Sequence, residues 1–497
     1  MKRYVLAIDQ GTTGSTVMIF DRRGRVVSRA YSEFRQFYPE PAWVEHDALE
    51  IWNTTYGLID KACRKGKVKK DEIAALGITN QRETTVVWDR SSGRPLSKAI
   101  VWQDRRTAAR CERLKADGLE SEVTRKTGLM IDPYFSASKV EWLLANNNGA
   151  AKRAARGELA FGTIDSWLIW KLTGGASHVT DYTNASRTML YDINKKRWDA
   201  GLCDTFSVPG ELLPEVLPSS GFFGETVPGL VGRGSVPISG VAGDQQAALF
   251  GQACFRPGMV KNTYGTGCFI LMFTGKKPVR SKNRLVTTMA CAADGGPAYA
   301  LEGSIFIAGA AVQWLRDGLG LIRDAAESEA AARRVDSTLG TYLVPAFAGL
   351  GAPYWDPQAR GALVGLTRGV TADHVTRATL ESLAYQTRDV VEAMSADCGR
   401  KIRLLRVDGG ATANDFLMQF QADLLGVTVD RPAVVETTAA GAAFLAGLGA
   451  GFWKSAAEVE KARRKDRVFK SSMPPSRRRE LYQGWLEAVS RVSDNTG

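Results

Sequence analysis

At 497 residues the chain is too long for one core of ordinary size, and its 44% hydrophobic content is ample for burial, so two domains is the working count. The formal charge of +12 is spread along the chain, concentrating only at 64–70, 461–470 and 477–479, which argues against a nucleic-acid partner and for a solvated surface mildly favouring anionic substrates. Seven scattered cysteines without a C-x-x-C pair argue against zinc or a disulfide framework and fit a reducing cytoplasm; with no apolar signal segment after Met1 and only the short, Gly/Ala-rich 437–453 stretch free of charge, no stable membrane insertion is expected.

The first element is a β-meander. Val5-Leu6-Ala7-Ile8 ends on Asp9, Val17 to Phe20 forms a second run, and Val26 to Ser28 a third. Between the first two lies Gln10-Gly11-Thr12-Thr13-Gly14-Ser15, with two glycines that admit close backbone approach and hydroxyls that add donors, a cradle for phosphate oxygens. Asp9 at its lip is a hard oxygen ligand of the kind Mg²⁺ takes beside phosphate. The plainer reading of the same residues is an ordinary Gly-Thr hairpin.

Asp47 to Cys63 reads as a helix, with Leu49, Trp52, Tyr56 and Ile59 at helical spacing. Ala74 to Thr79 is a buried-type strand ending on Asn80-Gln81-Arg82-Glu83, and polar residues beyond the carboxyl end of such a strand are where open α/β sheets bind ligands. Successive strand residues face opposite ways, so Arg82 and Glu83 reach one ligand only if the chain turns or bulges there; otherwise they form a surface ion pair. Ala99 to Trp102 repeats the pattern and leads to a helix through Leu114. Tyr134, in the loop 128–139, is either a packing aromatic or a ligand hydroxyl, with Val140, Leu143 and Leu144 as core beyond it. Thr163 to Trp170 starts a buried helix in which Trp167 and Trp170 read as core. Ser239 to Gln246 then brings glycines before Asp244-Gln245 at a helix start, where a carboxylate stays ionised and suits an N-cap and a base equally.

A second copy of the opening pattern follows. Met259 to Tyr264, Gly265-Thr266-Gly267 and Cys268 to Phe273 again give strand, Gly-Thr turn and strand. Two such units fit two similar domains, each offering one phosphate turn to a nucleotide in the cleft between them. Further on, Gly309 precedes a helix carrying Gln313, a long helix runs from about Asp373 to Met394, and the strand Leu404 to Val407 leads through Asp408-Gly409-Gly410-Ala411 to a helix opening near Asn414. The Gly/Ala-rich helix 437–453 is expected to pack closely on a sheet, and the tail beyond Lys454 carries only a weak apolar period (Leu481, Trp485, Val489).

Taken in order, Asp9-Gln10-Gly11-Thr12-Thr13, Arg82-Glu83, Pro133-Tyr134-Phe135-Ser136, Gly243-Asp244-Gln245-Gln246, Tyr264-Gly265-Thr266-Gly267-Cys268-Phe269 and Asp408-Gly409-Gly410-Ala411 make the chain resemble the FGGY carbohydrate kinases of the actin–hexokinase–chaperone superfamily over nearly its whole length. Gln81-Arg82-Glu83-Thr84 with Asp244-Gln245-Gln246 is similar to the glycerol branch. The resemblance implies an α/β fold of two ribonuclease-H-like (actin-like ATPase) domains, 1–249 and 250–497, with mixed sheets flanked by helices and the site in the interdomain cleft. It implies ATP-dependent phosphorylation of glycerol to sn-glycerol 3-phosphate, with ATP and Mg²⁺, in a cytoplasmic homo-oligomer (dimer or tetramer). By position Asp244 matches the catalytic base; Arg82, Glu83, Tyr134, Asp244 and Gln245 match glycerol-hydroxyl contacts, with Trp102 and Phe269 as apolar walls. Thr12, Thr13, Gly14, Thr16, Thr266, Gly309, Gln313, Gly410 and Asn414 match nucleotide contacts, and Asp9 the metal-associated carboxylate.

Three departures accompany the resemblance. Relatives commonly carry Arg where this chain has Thr16 and Ser where it has Gly14; the stretch Val231 to Val236 is shorter and less basic than the loop that binds fructose 1,6-bisphosphate in some bacterial members; and the tail after Pro475 differs from members bound by a transport regulator. Two other functions are consistent with parts of the pattern. A kinase for a larger polyol or ketose such as xylulose keeps the turns and the base but should lack Arg82-Glu83 and the aromatic walls, and an actin- or chaperone-like ATPase needs the turns without Asp244-Gln245.

Overall fold

The structure is a computed structural model that describes residues 2–232 and 234–493, so Arg233 of the 231–236 stretch lies outside the described residues. Tyr4–Gln10 (β1), Gly14–Asp21 (β2) and Val26–Glu33 (β3) form the opening meander. Ile73–Asn80 (β4), Ser220–Glu225 (β5) and Pro237–Gly243 (β6) complete a six-stranded sheet of order β5-β6-β4-β1-β2-β3. The meander is antiparallel, β4 runs parallel to β1 and to β6, and β5 closes the edge antiparallel to β6.

The second half repeats this plan. Val260–Tyr264 (β7), Cys268–Gly275 (β8), Val286–Cys291 (β9), Pro297–Ile305 (β10), Leu404–Asp408 (β11), Thr428–Pro432 (β12) and Lys465–Phe469 (β13) form a sheet of order β9-β10-β8-β7-β11-β12-β13. The antiparallel run β7-β8-β10 stands for β1-β2-β3, the parallel pair β11-β12 for β4-β6, and the antiparallel edge β13 for β5; β9 is an addition at the far edge. The two Gly-Thr turns thus occupy the same place in two copies of one topology.

Asp47 caps the helix Ala48–Lys65 (α1) by accepting from Leu49 N and Glu50 N. Its buried face is not the one spaced at Leu49, Trp52 and Tyr56. Ala48, Ile51, Thr55, Leu58, Ile59, Ala62 and Cys63 are buried, while Leu49 and Tyr56 are 40% and 39% exposed and Trp52, half-buried at the edge of that core, stacks on Tyr56 at 5.6 Å. Both series have helical period, and packing against β2 and β3 chooses between them. The run at Ala99 is shorter than expected, a two-residue strand in a small three-stranded sheet, because its partner Glu45-His46 is itself only two residues long. Trp167 is core as read, in Ile164–Leu172 (α3 after Ser136–Asn146, α2), with its indole N–H donating 2.8 Å to Ala48 O.

Asp244–Gly251 (α4) follows β6 directly, so a division at 249/250 falls inside a helix. Gly309–Gln313 (α5), Ala372–Cys398 (α6) and Asp415–Leu425 (α7) flank the second sheet. Thr437–Gly449 (α8) does not stay there: its alanines share a core with Val5, Ala7, Met18, Phe20, Ala75 and Ala242 of the first sheet. Close approach is what its small residues permit. A Cβ on Gly77 of β4 would strike the Ala442 carbonyl, and one on Gly441 would strike that of Ala247 in α4. The tail helix Pro475–Ser490 (α9) buries Trp485, whose indole donates 2.9 Å to Asp389 on α6. Among the described residues no helix is long and apolar enough to cross a membrane.

Candidate active site

The first turn is closed by Gly11 N donating 2.9 Å to Gly14 O. Its two glycines serve different ends. A Cβ on Gly14 would come within 2.6 Å of Ser32 O and 2.8 Å of the Tyr31 ring, so this glycine is required by the close approach of β3 and not by a ligand. Gly11 has only its own turn partner, Gly14 O, near that position, at 3.3 Å. Asp9 and Thr16 are direct cross-strand partners, both half-buried, and Thr16 is in turn opposite Tyr31. Thr16 therefore lies beside the Asp9 carboxylate, on the strand and outside the turn itself.

The second turn is closed in the same way, Gly265 N to Gly267 O at 2.9 Å, and it is seated on the start of α5. Gly309 N donates 3.0 Å to Gly265 O, and Ala308 N and Ala310 N donate 2.8 and 3.1 Å to Thr266 O. A Cβ on Gly309 would sit 2.6 Å from Gly265 O, which explains glycine there without a ligand. Gly410 is exposed, with open space where its Cβ would be, and Gln313 and Thr266 are exposed as well. Asn414 is engaged structurally: it caps α7 by accepting 2.9 Å from Leu417 N and donates 3.2 Å to Ser328 Oγ.

Between the turns lies a floor of buried charge. Glu83 has φ of 61°, a left-handed turn that an L-residue adopts at a cost, and this bend lets Arg82 and Glu83 point into one site after β4. Arg82 Nε lies 3.1 Å from Asp244 Oδ1, and its two terminal nitrogens reach Glu302 at 2.5 and 3.1 Å. Arg187 donates 2.6 Å to Glu83 and 3.1 Å to Glu302. Arg82, Glu83, Arg187 and Glu302 are all at most 3% exposed, whereas Asp244, Tyr134, Trp102 and Phe269 are half-buried and line the space above. Trp102 meets Tyr134 edge-on at 5.4 Å, and the Arg82 guanidinium lies 6.0 Å from the Phe269 ring. The aromatic walls and the ion pairs thus bound one space.

Asp244 opens α4, and Gln245 N donates 2.6 Å to its Oδ1, the same oxygen that meets Arg82. The N-cap position itself is Gly243, so Asp244 is not spent as the cap. Burial and then the Asp244 charge push the Asp9 carboxyl up to about 7, with Arg29 opposing. A carboxylate so placed is short of positive charge, and a cation fits beside it. Among the described residues no cluster of three metal-type side chains exists, so a divalent ion there would draw most of its ligands from phosphate and water, as Mg²⁺ does.

Lys261 is buried and donates to Gln245 Oε1 at 2.5 Å and Thr263 Oγ1 at 2.8 Å, and burial lowers it to about 8, so it orients Gln245 and does not face the first turn. The Trp102 indole donates 2.9 Å to Thr12 Oγ1, which ties the aromatic wall to the first phosphate turn. Arg187 and Glu302 escaped the reading of the sequence. The one available signal was a charge inside an apolar strand, Glu302 within Ala298 to Ile305.

Two copies of one sheet, each presenting a Gly-Thr turn, with a charged floor shared between them, define a two-domain sugar-kinase architecture. The sequence models for the N-terminal and C-terminal domains of the FGGY family of carbohydrate kinases match residues 4–251 and 260–450. The chain belongs to the FGGY family. Among curated proteins it is 59% identical over 493 residues to the glycerol kinase of Carboxydothermus hydrogenoformans, covering 99% of each chain. Among solved structures it is similar to Plasmodium falciparum glycerol kinase with ADP, at a TM-score of 0.92 and 38% identity over 98% of each chain. A ligand-bound xylulose kinase from Lactobacillus acidophilus has the same fold at a TM-score of 0.87 and 21% identity, covering 99% of each chain.

Proposed function

We propose that the chain transfers the γ-phosphoryl group of ATP to glycerol, giving sn-glycerol 3-phosphate and ADP. The observation that carries this reading is the Arg82–Asp244 pair at 3.1 Å, above Glu83 and beneath Trp102, Tyr134 and Phe269. A three-carbon triol has a hydroxyl on every carbon, so its recognition needs fixed donors and acceptors on one side and an apolar wall for the carbon edge on the other. Arg82, Glu83, Tyr134, Asp244 and Gln245 are proposed for the first role, Trp102 and Phe269 for the second. The identity to curated glycerol kinases favours glycerol over a longer polyol or ketose, whose kinases share the fold.

Asp244 is the proposed base. Its Oδ1 is held by Gln245 N and Arg82, which leaves Oδ2 to accept the hydroxyl proton as that oxygen meets the γ-phosphorus. In a loose transition state the proton moves late, and most of the rate comes from alignment and charge neutralisation. Thr12, Thr13, Gly14, Thr16, Thr266, Gly309, Gln313, Gly410 and Asn414 are proposed to line the nucleotide. Gly410 and Thr266 offer open backbone and a hydroxyl, while Gly14, Gly309 and Asn414 contribute by holding the turns and α7 in place. Mg²⁺ would be held beside Asp9 and would neutralise phosphate charge. Six of the seven free cysteines are buried, in keeping with the proposed cytoplasmic location, and a homo-oligomer is proposed from the family resemblance alone. The test is ADP release with glycerol, dihydroxyacetone, erythritol, ribitol and xylulose side by side. A kcat/KM for glycerol that fails to exceed the others overturns the assignment.

A further inference from the structure

We infer that Glu302, carried by the second sheet, is a positioning residue for the polyol site: it fixes the Arg82 guanidinium so that only its Nε edge meets Asp244. The inference rests on the proposed reaction and extends it to a residue outside the set that touches substrate. Glu302 sits on β10 opposite Leu271 of β8, two residues along from the Ser304–Phe269 pair, so it rises under the same wall that Phe269 forms. Its Oε2 accepts 2.5 Å from Arg82 Nη1 and its Oε1 accepts 3.1 Å from Arg82 Nη2, a two-point grip that fixes the plane of the fork. Gln246 Oε1 takes a second bond from Nη1 at 3.3 Å. With both donors of Nη1 and one of Nη2 engaged, the Nε–H is the donor that meets Asp244 Oδ1, at 3.1 Å.

Glu302 also grips Arg187 at 3.1 Å, and Arg187 in turn holds Glu83 at 2.6 Å. One carboxylate thus orients both guanidinia of the buried floor, Arg82 and Arg187, and through them both acidic side chains proposed to touch the polyol. Burial alone would raise the Glu302 carboxyl, but the Arg187 and Arg82 charges outweigh it and hold the group at about 2, so the grip is ionised at any working pH. Loss of that charge frees Arg82 to turn its two-pronged face onto Asp244 and occupy the oxygen needed for the proton. The same strand reaches the nucleotide side, since a Cβ on Gly267 of the second turn would strike the Ile305 carbonyl, three residues past Glu302.

The test is steady-state kinetics of Glu302→Gln, Arg82→Lys and the double variant, on the polyol that the wild type turns over fastest, with thermal midpoints alongside. Glu302→Gln is expected to raise KM for the polyol about tenfold or more and to lower kcat, the scale of a lost charge-assisted hydrogen bond, while KM for ATP stays within about twofold. In the Arg82→Lys background the share of the loss that runs through Arg82 should vanish, leaving only the share carried by Arg187 and Glu83, so the combined loss is expected to be clearly less than additive. A parallel rise in both KM values, or additive losses in the double variant, overturns the inference. If Glu302→Gln does not fold, Glu302→Asp decides: it keeps the charge but shortens the reach, so an unchanged polyol KM refutes the grip and a selective rise supports it. A wild type inactive on every polyol and ketose would count against the proposed reaction instead, and glycerol affinity by calorimetry on the same variants would then still read the grip.

Discussion

Replacing Asp244 by Asn is the sharpest probe of the proposed chemistry, because the structure separates what the side chain holds from what it does. An Asn carbonyl at Oδ1 can still accept from Gln245 N, now at 2.6 Å, and from Arg82 Nε, now at 3.1 Å. What changes is that the charge-assisted bond to Arg82 becomes a bond to a neutral acceptor, and Oδ2 becomes an NH₂ that cannot accept a proton. The first change costs about 1 kcal/mol, the difference between charged and neutral hydrogen bonds. The second removes a general base, a contribution of about 10²–10⁴ in rate. The expected result is a folded protein with a thermal midpoint near wild type, glycerol affinity weakened by roughly tenfold or less, and kcat reduced by about 10²–10⁴. Stopped assays of ADP at saturating glycerol and ATP, with calorimetric glycerol binding, separate the two effects. Retention of more than about a tenth of wild-type turnover would refute the assignment, since that margin is well short of general-base catalysis.

Trp102→Phe keeps an aromatic ring against Tyr134 but removes the 2.9 Å bond to Thr12; a neutral hydrogen bond of about 1 kcal/mol corresponds to a several-fold rise in KM for ATP, and a defect confined to glycerol would break the proposed tie between wall and turn. Thr16→Arg places a guanidinium beside Asp9 and the first turn, so KM for ATP should fall several-fold with KM for glycerol nearly constant; equal or weaker binding of an ATP analogue would mean that Arg29 already supplies the charge. Burial raises Asp389 to about 7, although the Tyr482 hydroxyl and the Trp485 indole donate to it at 2.6 and 2.9 Å. The folded state then holds this proton more tightly than the unfolded chain, so the contribution to stability is present below about pH 4 and is lost as pH rises towards 7. Asp389→Asn, which cannot titrate, should therefore gain thermal midpoint relative to wild type between pH 5 and pH 8, and a constant difference across that range would refute the shift.

By itself the sequence determined what depends on neighbours in the chain. Apolar runs ending on Gly-Thr turns, the helix beginning at Asp47, the helix starts at Asp244 and Asn414, and the need for a bend at Arg82-Glu83 are all local, because turn chemistry and periodicity act within a few residues. The duplication of the turn was enough to expect two like sheets, and β7-β8-β10-β11-β12 repeats β1-β2-β3-β4-β6. Tertiary structure decided the rest. The spacing of Leu49, Trp52, Tyr56 and Ile59 pointed to a face of α1 that is only partly the buried one, because a second series shares its period and contact with β2 and β3 chose Ile51, Thr55 and Leu58. Nothing near residue 437 indicates that α8 lies on the first sheet; that follows from glycines at 77 and 240, far away in sequence, whose missing Cβ atoms make room for its backbone. Glu302 meets Arg82 across 220 residues and Arg187 across 115. No local pattern records such a pairing, because a buried charge is tolerated only once the fold has brought its counter-charges to it.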